Sequence, residues 1–216
     1  MKRLVAEFIG TFALVFAGTG AIVIDEVTGG AVTHVGAALT FGLIVLAMIY
    51  TLGDISGAHI NPAVTVGFCF SGRFAAHDVL PYVASQCAGA LAASGVLRFL
   101  FPQNRLLGTT LPAGPPLQSF VLEFLLTAIL MFVILPVSTG SRDKGITAGI
   151  VVGSVIALEA MFAGPICGAS VNPARSLAPA VVSTHLQNLW IYLAAPVAGA
   201  FAGVFVCRYV REKGCC

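Results

Sequence analysis

The chain has 216 residues, of which 58% are hydrophobic and only 9% charged, with a net charge of +2. No soluble domain of this size carries so little charge, and with a mean hydropathy of +0.97 there is no room for a separate soluble domain beside the membrane spans. The few charges are spread over short loops, which gives no basic face for a nucleic-acid partner.

Taken in order, the first apolar run is Leu4 to Ile24, preceded by Lys2 and Arg3. That layout imitates a secretory leader, but Glu7 inside the run argues that the segment stays in the mature protein. The second run is Val35 to Leu52. After it comes Ser56-Gly57-Ala58-His59-Ile60-Asn61-Pro62-Ala63, then a short apolar stretch that stops at Ser71-Gly72. Asn is a favoured N-cap, and Pro suits the first helical position because its missing N–H has no partner there. Roughly ten residues at ~1.5 Å each span half of a ~30 Å hydrocarbon core, so this is a half-helix. The third run is Val79 to Phe101, and a Pro/Gly-rich link from Gln103 to Pro116 follows. The fourth and fifth runs are Leu117 to Val137 and Ile146 to Ala163. A second box, Cys167-Gly168-Ala169-Ser170-Val171-Asn172-Pro173-Ala174, opens a second half-helix that fades at Ser183, and the sixth run is Leu189 to Val206.

The halves repeat beyond the boxes. Glu7-Phe8-Ile9-Gly10-Thr11 matches Glu123-Phe124-Leu125-Leu126-Thr127, and Gln86-Cys87-Ala88-Gly89-Ala90 matches Pro196-Val197-Ala198-Gly199-Ala200. Three spans per half is an odd number, so the halves enter the membrane from opposite faces. The expected fold is an all-α membrane protein with six transmembrane helices and two re-entrant half-helices in an inverted 3+3 repeat. Its first repeat covers 1–102, a connecting loop 103–116, and its second repeat 117–216. Gly89 with Ala93, and Gly199 with Gly203, give the small-residue spacing of close helix packing. Alternation of the spans gathers Lys2, Arg3, Arg73, Arg142, Lys144, Arg208, Arg211 and Lys213 on one side, which places both termini in the cytoplasm.

The half-helix N-termini then meet near the midplane. A capping Asn uses its side-chain oxygen on the first turn, which leaves the amide NH2 of Asn61 and of Asn172 free to donate into the pore. The positive ends of two helix dipoles converge at the same place and oppose cations. Arg175 is the one permanent cation embedded in the apolar chain, and Val64 stands at the matching place in the first repeat. That asymmetry favours a pore-lining Arg175 over a purely structural tie to the carbonyls of Gly164 to Ala169. No His/Cys/Glu cluster has metal-ligand spacing and no Ser/His/Asp set suggests hydrolysis, so no metal, cofactor or enzyme activity is expected.

With two Asn-Pro-Ala boxes, Arg175 after the second, and paired Glu-bearing spans, the chain closely resembles the aquaporin (major intrinsic protein) family over nearly its full length. The resemblance implies a pore in each subunit of a homotetramer in the lipid bilayer, most simply the cell membrane. It implies an outer constriction at Phe41, twenty residues before Asn61, and at Ala160, Ala169 and Arg175, which stand twelve before, three before and three after Asn172. Water-selective members usually carry His at the position of Ala160, and nothing in the sequence suggests a substitute donor at that depth. Glycerol transporters typically carry Asp where this chain has Ser176. The run Phe162 to Ser170 and the segment Leu189-Trp190-Ile191-Tyr192-Leu193 resemble the nodulin-like intrinsic proteins and their bacterial relatives, although Phe41 departs from the Trp or small residue common in the plant members. That subgroup is associated with water, uncharged polyols and metalloid hydroxides such as arsenite, boric or silicic acid. The alternatives are a water-selective channel, or a junctional membrane protein with a secondary pore.

The resemblance also implies that Glu7 and Glu123 hold loop N–H groups. Glu159 is either a core acid hydrogen-bonded to the re-entrant loop or a group at the pore wall. His59 either faces the inner vestibule or is bonded to loop backbone. Six cysteines show no disulfide pattern: Cys69, Cys87 and Cys207 lie in apolar segments, and Cys215 and Cys216 end the chain as a free or acylated tail. Cys167, five residues before Asn172, is expected within reach of the outer vestibule and therefore of mercurials.

Overall fold

The computed structural model describes residues 1–138 and 142–211. Lys213, Cys215 and Cys216 lie outside the described residues, as do the side chains of Arg142 and Lys144. The described secondary structure is entirely helical: α1 (Lys2–Thr28), α2 (Thr33–Ser56), α3 (Pro62–Phe70), α4 (Ala76–Leu100), α5 (Pro116–Val137), α6 (Arg142–Cys167), α7 (Pro173–Ser183) and α8 (Leu189–Val210). Six of these are long and apolar enough to cross a bilayer, while α3 and α7, with 9 and 11 residues, are not.

Packing follows the repeat. In the first half α1 lies between α2 and α4, and in the second α5 lies between α6 and α8. Each half-helix docks on the last span of the other half, α3 on α8 and α7 on α4, while α2 meets α6 across the centre. Exchanging α1–α4 for α5–α8 maps this set of neighbours onto itself, which is what a two-fold relation between the halves requires.

Gly89 and Gly199 show why the spans close so tightly. A Cβ on Gly89 would collide with the carbonyl oxygen of Phe8, and one on Gly199 with that of Phe124. Only a missing side chain lets α4 lie on α1, and α8 on α5, at backbone contact. The buried interior draws on both halves, joining Leu14, Val45 and Phe68 to Leu126, Leu130, Met131 and Ala174.

One boundary differs from the sequence reading. Gly164-Pro165 looks like the end of the fifth span, yet α6 continues through both residues to Cys167. Proline deletes one helix bond, and a membrane helix tolerates that where a neighbour supplies a donor for the freed carbonyl. His34 is that neighbour here, with Nε2 at 2.8 Å from the Met161 oxygen.

Candidate functional site

The half-helices begin as their caps dictate. The Asn61 side-chain oxygen accepts from the N–H of Ala63 at 2.8 Å and of Val64 at 3.5 Å. Asn172 does the same for Ala174 at 3.0 Å and Arg175 at 3.3 Å. Pro62 and Pro173 occupy the first helical positions. The amide NH2 groups are less free than expected. Nδ2 of Asn61 donates to the Val171 carbonyl at 2.8 Å, and Nδ2 of Asn172 donates to the Ile60 carbonyl at 2.9 Å. Each amide thus spends one hydrogen on stitching the two re-entrant loops together and keeps one for the cavity. The sequence of one loop could not show this, because the acceptor belongs to the other.

Those acceptors are presented by strained backbone. Ala58 and Ile60 have φ of 45° and 42°, and their counterparts Ala169 and Val171 have 40° and 46°. A β-branched residue in the left-handed region is costly, and such conformations persist only where surroundings impose them. Glu7 and Glu123 impose them. Glu7 accepts from the N–H of His59 at 2.9 Å and of Ile60 at 2.7 Å, from the Ser56 hydroxyl at 2.7 Å and from Nε2 of Gln86 at 2.8 Å. Glu123 accepts from the N–H of Ser170 at 2.7 Å and of Val171 at 2.8 Å. Both carboxylates are fully buried. With the loop N–H groups turned toward them, the Ile60 and Val171 carbonyls face the opposite asparagine.

Phe41, Ala160, Ala169 and Arg175 all line one cavity of about 110 Å³, together with Asn61, Asn172 and His59. Phe41, Ala160 and Arg175 also line an outer cavity of about 430 Å³. Phe41, Ala160 and Arg175 therefore stand where the two spaces meet, while Ala169 lines only the first. Arg175 is 2% exposed, and its guanidinium carbon lies 5.1 Å from the Phe41 ring centroid, a cation–π contact. Its Nη1 donates to the Gly108 carbonyl at 2.9 Å. The anchoring carbonyl thus comes from the link between the halves and not from Gly164 to Ala169. Ser176, where glycerol transporters typically place Asp, joins a hydroxyl chain, 2.8 Å from Thr110 and 2.5 Å from Ser170. The link is thereby tied to the second half-helix at two points, neither of which the sequence reading proposed.

Three further expectations change. Glu159 is 1% exposed and neither carboxylate oxygen has a hydrogen-bond partner among the described residues. It is bonded to no loop and lines neither cavity, so neither expected role is present. His59 lines the cavity while 8% exposed; its Nδ1 lies 3.2 Å from the Thr65 hydroxyl and its ring stacks on Phe68. Its side-chain partner is thus a hydroxyl and not backbone. Cys167 is fully buried, with Sγ 3.5 Å from the Ala163 carbonyl and 3.4 Å from the Ala169 N–H. Its sulfur is turned into the protein, so the expected reach from the outer vestibule is absent. Cys167→Ser should leave the response of water flux to organic mercurials unchanged, whatever Cys69 and Cys87 contribute; inhibition abolished by that substitution would contradict the burial. Cys69, Cys87 and Cys167 are free thiols, whereas Cys207 is disulfide-bonded, against the expectation of a buried thiol there.

Six helices long and apolar enough to cross a membrane, around a cavity lined by the capping asparagines of two half-helices, define a multi-pass membrane channel, with no set of side chains arranged for catalysis among the described residues. The family model "Major intrinsic protein" matches residues 1–207, and the chain belongs to that family. It is 45% identical to aquaporin NIP1-3 of Oryza sativa subsp. japonica over 97% of this chain and 74% of that one. It is 46% identical to nodulin-26 of Glycine max over 98% of this chain and 78% of that one. The X-ray structure of the aquaglyceroporin from Plasmodium falciparum superimposes with a TM-score of 0.87, at 25% identity over 97% of this chain and 96% of that one.

Proposed function

We propose that this channel conducts water and small uncharged solutes, polyols and metalloid hydroxides such as arsenite, boric or silicic acid among them, while excluding ions and protons. The observation that carries the reading is the pairing at the meeting of the two cavities. Ala160 stands there with a buried Arg175 and the Phe41 ring, and Ala169 shares the smaller cavity with them, so two of the four residues are alanines. Alanines leave width and offer no hydrogen bond, so a solute larger than water meets donors on one wall only. Inward of them, the paired Asn61 and Asn172 N–H groups and two helix N-termini suit an oxygen and oppose a cation. The family and the aquaglyceroporin likeness support the same conclusion. We further propose that the protein works as a homotetramer in the cell membrane with both termini in the cytoplasm, as the distribution of basic loops suggests.

Charge exclusion is tested in proteoliposomes holding a pH-sensitive dye. The original protein should show water flux without proton leak. Arg175→Val should keep water flux and admit a small leak, because the half-helix dipoles remain. A variant with normal water flux and no leak under any gradient would remove Arg175 from the barrier.

A further inference from the structure

Pro165 lies inside α6, where residue 165 would otherwise donate to the carbonyl of Met161 four residues earlier. The freed oxygen is taken by His34 of α2, whose Nε2 lies 2.8 Å away. Gly164 makes the approach possible: a Cβ there would stand 2.9 Å from the His34 ring carbon Cε1. A carbonyl can only accept, so Nε2 carries the proton. In the neutral ring Nδ1 is then an acceptor, and it has no hydrogen bond to the described residues.

The place of that ring matters. His34, Ala38 and Phe41 follow helical spacing on α2, and with Ala160, Gly164 and Arg175 they line the outer cavity of about 430 Å³. Met161, which fixes the ring, is the residue after Ala160. Arg175 offers donors only, while Phe41 and Ala160 offer no hydrogen bond from their side chains. Of the other acceptor side chains at this cavity, Glu26 has one oxygen occupied by Asn104 at 2.7 Å, the Thr109 hydroxyl is engaged with the Leu106 carbonyl and Ser183, and the Thr110 hydroxyl with Ser176.

We propose that His34 is a specificity-determining residue, whose ring, held by the Pro165-freed carbonyl of Met161, accepts a hydrogen bond from hydroxyl-bearing solutes just outside Ala160, opposite the Arg175 donors. A polyol entering the constriction needs both a donor and an acceptor, since each hydroxyl is both. Water, which is small and turns freely, depends on the acceptor much less. The inference rests on the reading that the Ala160 and Ala169 opening admits polyols at all.

The test is paired water and glycerol permeability by stopped-flow light scattering in proteoliposomes, for the original protein, His34→Leu and His34→Gln. The leucine variant should lose about fivefold in glycerol permeability, one hydrogen bond's worth, with water changing less than twofold. The glutamine variant, which can donate to Met161 and still offer an oxygen, should restore the glycerol value. Parallel loss of water and glycerol in His34→Leu would make His34 a strut between α2 and α6 only, and unchanged glycerol flux would remove it from selection. Should the leucine variant not fold, His34→Ala, which lets water reach the Met161 carbonyl, is read by the same two outcomes. An original protein that passes water but no glycerol would overturn the wide-opening reading instead, which the unsubstituted arm shows separately.

Discussion

Glu7→Ala should destabilise the protein severely, and more than Glu123→Ala does. Four donors converge on Glu7, from Ser56, His59, Ile60 and Gln86, and two backbone donors on Glu123, from Ser170 and Val171. Each buried donor left without a partner costs about 1–3 kcal/mol, and the vacated volume adds a cavity term of roughly 2 kcal/mol. The positive φ angles at Ile60 and Val171 then lose the contacts that hold them, and the cap of each half-helix loosens with its loop. The expected readout is a fall in the detergent unfolding midpoint of roughly 10 °C or more for Glu123→Ala. Glu7→Ala should give little folded protein. Midpoints within a few degrees of the original for both variants would mean that the loops hold their shape without the carboxylates.

Ala160→His should separate the fluxes of water and solute. The imidazole would enter the space where the two cavities meet, opposite Arg175 and beside Phe41. It adds volume and a donor, so the opening narrows while water still finds hydrogen-bond partners. Glycerol permeability should fall about tenfold or more, equivalent to ~1.4 kcal/mol in the barrier, while water changes about twofold or less. Suppression of both in equal measure would show that Ala160 does not set the width for solutes.

Much of this site is legible in the chain because its signals are local. Asn-Pro at a helix start fixes the cap, and the short apolar run after it fixes a half-helix, without reference to any other element. The repeat of Glu7 and Glu123 is equally visible, and the structure gives both the loop N–H partners that the family resemblance implies. The features that escaped depend on contacts between distant segments. The Asn61 and Asn172 amides each spend a hydrogen on the opposite loop, and Arg175 is tied to Gly108 in the link between the halves. Gly164-Pro165 reads as a helix end by propensity, and only a donor from α2 lets the helix continue. Ile60 and Val171 sit in a conformation that β-branched residues avoid, so local preference argues against what the carboxylates enforce. Cys167 failed for a simpler reason: distance along the chain from Asn172 says nothing about which way the last turn of α6 faces.

The central claim is that the opening at Phe41, Ala160, Ala169 and Arg175 is wide enough for small uncharged solutes while two half-helix N-termini exclude ions. Stopped-flow light scattering on proteoliposomes, with water, glycerol and an uncharged metalloid hydroxide compared on one preparation, tests it directly. The expected result is permeability to all three above protein-free liposomes, with no ionic conductance in the same vesicles. Water flux with no glycerol and no metalloid flux would identify a water-selective channel and contradict the account.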